Sequence, residues 1–291
     1  MIRNKIGKKL IRYRQIANII VKYGFGYFVG KTRLKIIHLP FRKRKAEIPA
    51  PVRIRKMLEE LGPTFVKMGQ ILSTRPDLIP IEYLFELEKL QDSTEPVEYK
   101  EIKDVFENNL KCKIEDVFDY FEKEPIASAS VSQVHIASYK GEKVAVKIQK
   151  PGIEDKIYLD IGILYDIAEL IERFIKEAKI YKPVRIVEEF EKAIRKEIDF
   201  SYEGRNIEKF RKNFSSFEGI IFPKVYKELT GNKVLTLEYI DGIKITEIDK
   251  IKEIDREQIA KKGTEIILKQ IFQDGFFHAD PHPGNILIMK D

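Results

Sequence analysis

His278-Ala279-Asp280-Pro281-His282-Pro283-Gly284-Asn285 is the stretch that decides the reading of this chain. An aspartate two residues after a histidine, with an asparagine five residues further on, places a carboxylate and an amide oxygen on one short loop. Phosphoryl transfer uses such a pair: the carboxylate accepts the proton of the attacking hydroxyl and the amide oxygen holds magnesium. Two prolines and a glycine keep the segment out of helix. Ile286 to Ile288 reads as the strand that follows it, and Ile259 to Phe272 as the helix that precedes it. A proline-rich turn with a satisfied aspartate is the plain alternative, and the spacing and flanks argue against it.

Working back along the chain, Val144-Ala145-Val146-Lys147 alternates as a strand, with Val144, Val146 and Ile148 on one face. A lysine inside a buried strand is costly unless it meets an anion, and nucleotide phosphates and a helix glutamate are such anions. An edge-strand lysine pointing to water is the competing reading. Asp119 to Phe121, Gln133 to Tyr139 and Lys143 to Lys150 read as strands, with a hairpin turn at Lys140-Gly141-Glu142. Phe222 to Leu229 and Lys233 to Ile240 read as a second hairpin. Between the first two strands, where a phosphate-covering loop of glycines is expected, stands Ala127-Ser128-Ala129-Ser130. It allows close backbone approach with less freedom than glycine, and Ser128, Ser130 and Ser132 offer hydroxyls.

The remainder is helical. A region from about Arg53 to Leu110 is divided at Gly62-Pro63, and its second helix carries Lys67, Gln70 and Thr74 on one face, with a costly glycine, Gly69, between them. Ile157, Ile161, Leu164, Ala168, Ile171 and Ile175 mark the packing seam of a long helix after Pro151-Gly152. A single helix is expected from about Val184 to Phe210, with Asp199 and Glu203 on a shared face and Glu197 pointing away from both. One carboxylate of this set can meet Lys147 while another meets a different cation; a solvated acidic face is the bland alternative.

Charge is uneven. Residues 1–50 hold fourteen Lys/Arg against the single Glu47 and so carry +13 of a chain total of +7, which leaves −6 for the rest. Aromatic residues interleave with this basic arm at Tyr23-Gly24-Phe25-Gly26-Tyr27-Phe28. That composition suits an anionic membrane surface; a solvated tail competes with it, and nucleic acid is a rival that is not expected. Cys112 is the only cysteine, so no intramolecular disulfide forms and a cysteine-built zinc site is excluded. The apolar tract Ile16 to Gly30 is interrupted by Lys22 and falls short of the ~20 residues of a bilayer span. No transmembrane helix and no secretory leader are expected, and a cytoplasmic protein, peripheral at the inner face of the membrane, fits.

Together these residues resemble the UbiB-like, or aarF-domain, atypical kinases. The resemblance runs from about Arg53 to the end: Lys67-x-Gly69-Gln70, Arg75-Pro76-Asp77-Leu78-Ile79-Pro80, Leu90-Gln91-Asp92, the alanine–serine loop, Lys147, Glu197-x-Asp199 with Glu203, and His278 to Asn285. It implies an α+β fold: a protein-kinase-like N-lobe with an antiparallel sheet, an N-terminal helical extension, a helical insert and the start of a C-lobe. The domain boundaries expected are a basic arm at 1–50, the extension at 51–118, the N-lobe at 119–242, and the C-lobe start at 243–291.

The resemblance also implies roles. Lys147 would contact ATP or ADP phosphates and pair with Glu203. Ala127 to Ser130 would cover the phosphates, and Glu238 and Ile240 would form the adenine hinge. Asp280 would be the catalytic base and Asn285 the magnesium ligand. Lys67 and Gln70 would occlude the substrate side, with Lys67 held by Glu197 and Asp199. The family's setting implies isoprenoid quinone or lipid metabolism, with isoprenoid lipid and quinone-biosynthesis proteins as partners. A second magnesium-binding aspartate, in an Asp-Phe-Gly segment, is not found between Asn285 and Asp291, so an incomplete, inactive fragment is expected. The alternatives weighed are a pseudokinase-like nucleotide-binding module and a small-molecule phosphotransferase.

Overall fold

The computed structural model describes residues 2–25, 48–90, 94–250, 255–278 and 286–289. Residues 279–285, with Asp280 and Asn285, lie outside the described residues, as do Gln91, Asp92 and the second half of the basic arm.

The first half of that arm is a helix, α1 (Ile2–Lys22), packed on the body through Ile16, which is 2% exposed. Helices α2 (Ala50–Leu61), α3 (Pro63–Ser73) and α4 (Ile81–Leu87) follow. Gly62 joins α2 to α3 at φ 99°, a conformation that disfavours any side chain, and Pro63 opens α3, where its missing N–H costs nothing. Gly69 has a packing cause: a Cβ there would stand 2.4 Å from Leu90 Cδ1 and 2.9 Å from Leu58 Cδ1. The glycine lets α3 lie close against α2 and the chain after α4.

Next come α5 (Tyr99–Leu110), the short α6 (Ile114–Val117), β1 (Tyr120–Phe121), β2 (Ala127–Ser128), β3 (Ser132–Tyr139) and β4 (Glu142–Gln149). Lys140 and Gly141 both have positive φ, 53° and 79°, which gives a two-residue hairpin whose twist matches its strands. Helix α7 (Ile153–Phe174) is followed by α8 (Pro183–Ile198), α9 (Phe200–Asn213), β5 (Val234–Glu238), β6 (Ile243–Lys244), α10 (Arg256–Leu268) and β7 (Leu287–Ile288). The sheet is antiparallel in the order β1-β3-β4-β5, with β2 also paired to β3. Strand β4 is therefore interior, bonded to β3 and β5, which overturns the edge-strand alternative for Lys147.

Three expectations change. The helix read from Val184 to Phe210 is two helices, broken at Asp199, which adopts an extended conformation and caps α9 by accepting from Ser201 N at 3.1 Å. An N-cap aspartate satisfies a helix-end amide that nothing else would reach. Just after it, Phe200 N donates to Asn232 O at 3.0 Å rather than continuing the ladder of α8, and the Phe200 ring is fully buried. The second hairpin is only half formed. Its first arm meets β5 through an isolated bridge, Val225 to Leu237, and then tightens into a 3₁₀ turn at Lys227–Leu229. The last helix starts earlier than Ile259 and its final turn, Lys269–Gln273, widens into π geometry.

Two main cores result. One gathers α1, α2, α3, α7 and α8 around Leu61, Phe65, Ile157, Ile161 and Ile194; the other lies under the sheet around Ile102, Phe106, Val144, Val146 and Ile148. His135 is fully buried in the second, stacked on Phe121 at 5.3 Å, with Nδ1 2.9 Å from the Glu122 carbonyl. Burial pushes its pKa below the ordinary value, the Glu122 carbonyl opposing in part. The unfolded chain therefore takes up a proton that the folded sheet refuses. The stability contribution is complete above about pH 6.5 and is lost as pH falls through the depressed folded value. Denaturant titrations between pH 7.5 and 5 should show His135→Gln losing less stability on acidification than wild type; equal losses would show that His135 is not the proton-linked group.

Candidate nucleotide site

Lys147 stands in the middle of β4, opposite Val134 of β3 and Leu235 of β5. Its Nζ is 2.6 Å from Glu203 Oε2 and 4.8 Å from the ring centre of Phe200. Glu203 lies in the first turn of α9, where the helix dipole favours a carboxylate. The break at Asp199 sets this arrangement: it anchors Phe200 in the small core with Val225 and Leu235 and starts α9 one turn before Glu203. The pair is open to solvent on one side, with the lysine side chain 28% and the glutamate 37% exposed. A partly exposed ammonium fixed by a carboxylate and an aromatic face can meet an incoming anion from its solvent side.

The alanine–serine segment is more ordered than a loop. Ala127 and Ser128 form β2, paired with Val134 and Gln133, and a tight turn closes with Ala129 N donating to Ser132 O at 2.8 Å. Ser130 and Ser132 are buried, 4% and 3% exposed, so their hydroxyls are not displayed on the surface. The Ser128 hydroxyl is enclosed and has no hydrogen-bond partner among the described residues. At the end of β5, Glu238 N donates to Lys224 O at 2.9 Å and its carboxylate accepts from Lys224 N at 3.0 Å; Ile240 follows, half-buried, beyond the strand.

From α3, Lys67 Nζ reaches Glu197 Oε1 at 2.8 Å, and Gln70 Nε2 donates to Leu90 O at 3.2 Å. Asp199, expected to share Lys67, instead caps α9 and accepts from Ser201 Oγ at 2.6 Å, with Arg205 at 4.0 Å. Asp280 and Asn285 fall outside the described residues, but the described residues on either side of 279–285 are held. His278 N donates to Gln270 Oε1 at 2.9 Å, and β7 pairs with β6. Among the described residues no group of three or more His, Cys, Asp or Glu side chains forms a metal site, and no helix is long and apolar enough to cross a membrane.

Sequence reasoning missed one buried constellation. Asp160 of α7, fully buried, accepts from Arg12 Nε at 2.7 Å, Arg12 Nη2 at 2.9 Å and Thr64 Oγ1 at 2.8 Å. Arg12 Nη2 also donates to Leu61 O at 2.7 Å. This cluster fixes α1 and the start of α3, and hence Lys67 and Gln70, to α7. Its signal was an aspartate on the apolar seam between Ile157 and Ile161, which calls for a buried cation.

A five-stranded antiparallel sheet whose interior lysine pairs with a glutamate of the packed helix defines a kinase-like fold. Residues 89–291 match the model of the ABC1 atypical kinase-like domain, and the chain belongs to that family, the aarF/UbiB family. A Clostridium pasteurianum relative, an uncharacterized protein encoded in the 5′ region of hydrogenase 1, is 39% identical over 283 residues, covering 96% of this chain and 51% of its own length. The chain thus spans about half the length of that curated relative. Among solved structures, the Mycobacterium tuberculosis protein Rv3197 in complex with erythromycin is similar, with a TM-score of 0.59, 28% identity, 80% of this chain covered and 59% of that one.

Proposed function

We propose that the cleft beside Lys147 binds an adenine nucleotide as its magnesium complex, and that the whole protein to which this chain corresponds is an ATP-dependent phosphotransferase or ATPase acting on isoprenoid, quinone or other lipid chemistry. The observation that carries the reading is the Lys147–Glu203 contact on an interior strand. In kinase-like folds this ion pair orients the lysine toward the nucleotide phosphates.

Glu238 and Ile240, where the chain leaves β5, would line the adenine end. Asp280 and Asn285 would supply the proton-accepting carboxylate and a magnesium ligand. Lys67, held by Glu197, would stand on the substrate side, where a protein acceptor needs more room than a small or lipid one. The basic residues of the N-terminal arm would favour an anionic membrane surface.

Titration with a fluorescent ADP analogue, displaced by unlabelled ATP with magnesium, tests the reading. Saturable binding that ATP competes away is expected; absence of saturable binding at millimolar nucleotide would overturn it.

A further inference from the structure

The turn beside the nucleotide cleft is held from outside by a segment that precedes the sheet. Thr94 N donates to Ser128 O at 3.1 Å and Thr94 Oγ1 donates to Ala129 O at 2.8 Å. Lys150, only 8% exposed, donates from Nζ to Thr94 Oγ1 at 2.7 Å and to Glu95 O at 2.9 Å, while its backbone N donates to Val131 O at 2.8 Å. Three residues past Thr94, Val97 exchanges both backbone groups with the fully buried Gln133 side chain: Val97 N donates to Oε1, and Gln133 Nε2 donates to Val97 O at 3.3 Å. Four residues before Thr94, the Leu90 carbonyl accepts from Gln70 of α3.

In the turn itself the carbonyls of Ser128, Ala129 and Val131 are each aimed at a protein donor. A carbonyl oxygen turned toward a phosphate repels it, whereas the amide across the same planar peptide attracts it. In the Ala129–Ser130 peptide the carbonyl is committed to Thr94, so its N–H is turned to the opposite side. A buried lysine is tolerated because it is hydrogen-bonded in place, here to Thr94 Oγ1 and the Glu95 carbonyl.

We infer that Thr94 and Lys150 are positioning residues: the Thr94–Lys150 strap sets the peptide orientation of the Ala129–Ser130 turn for nucleotide phosphates and ties it, through Leu90 and Gln70, to α3. This rests on the nucleotide reading above.

The test uses Thr94→Val, which keeps shape and removes the hydroxyl, with Thr94→Ser as the conservative rescue and Lys150→Met as an independent break. Two readouts are taken well below the unfolding temperature: amide exchange of residues 128–132 without nucleotide, and the Kd for magnesium-ADP. Exchange should quicken by roughly an order of magnitude in Thr94→Val and Lys150→Met, and Kd should rise about three- to tenfold, the range of one or two hydrogen bonds. Thr94→Ser should restore both. A purely structural strap would lower Tm yet leave Kd unchanged, which overturns the positioning role; wild-type exchange in both broken variants overturns the strap itself. Failure of wild type to bind nucleotide, with exchange still quickened, would refute the nucleotide reading and the phosphate role while leaving the clamp.

Discussion

Asp160→Ala should cost about 3–5 kcal/mol, the largest loss of any single substitution considered for this chain. The carboxylate is fully buried, and its removal leaves the Arg12 guanidinium, whose side chain is 12% exposed, without its anion. It also leaves the Thr64 hydroxyl, likewise buried, without its acceptor. Burial already holds the pKa of nearby Lys156 down, with the Arg12 charge adding to the effect and Asp160 opposing it. Loss of Asp160 therefore also removes a counter-charge that favours protonated Lys156. At roughly 2–4 °C per kcal/mol for a chain of this size, a fall in Tm of about 10 °C is expected by calorimetry. The double replacement Arg12→Met with Asp160→Leu should recover much of it, because an apolar pair of similar volume leaves no buried charge. A Tm within about 2 °C of wild type for Asp160→Ala would show that the cluster is far less enclosed than described.

Lys147→Met should leave stability nearly untouched and weaken nucleotide binding by about one to two orders of magnitude. The Lys147–Glu203 pair is about a third exposed, so its own contribution to folding is below about 1 kcal/mol. Toward a phosphate the same ammonium makes charge-assisted hydrogen bonds worth about 1.5–3 kcal/mol, which corresponds to a roughly 10- to 100-fold rise in Kd. Glu203→Gln keeps the shape but frees the lysine from its fixed partner, and a smaller, several-fold loss is expected. Unchanged binding by Lys147→Met, measured by calorimetric titration, would place the nucleotide elsewhere.

Much of this arrangement is legible along the chain because it depends on short-range rules. The two-residue turn at Lys140-Gly141, the alternation of β4 and the proline at the start of α3 each follow from local chemistry. So does the strand at Leu287–Ile288, which pairs with β6. The break at Asp199 was hidden because apolar spacing runs through Ile194, Ile198 and Phe200, and only the tertiary bond from Phe200 N to Asn232 O forces the chain out of helix there. The anchoring of α1 was hidden for a similar reason: Arg12 and Asp160 are 148 residues apart, and a basic N-terminal stretch reads as solvated until its counter-charge is located. Gly69 sits against Leu58 and Leu90, and only the placement of those two side chains shows why an alanine is not used.

Amide hydrogen exchange with and without magnesium-ATP tests the central claim most directly. The account predicts that nucleotide slows exchange in residues 127–132, 144–149 and 234–240, the turn, the lysine strand and the end of β5, and that Lys147→Met abolishes that pattern. Protection confined to other parts of the chain, or the same protection in Lys147→Met, would contradict it.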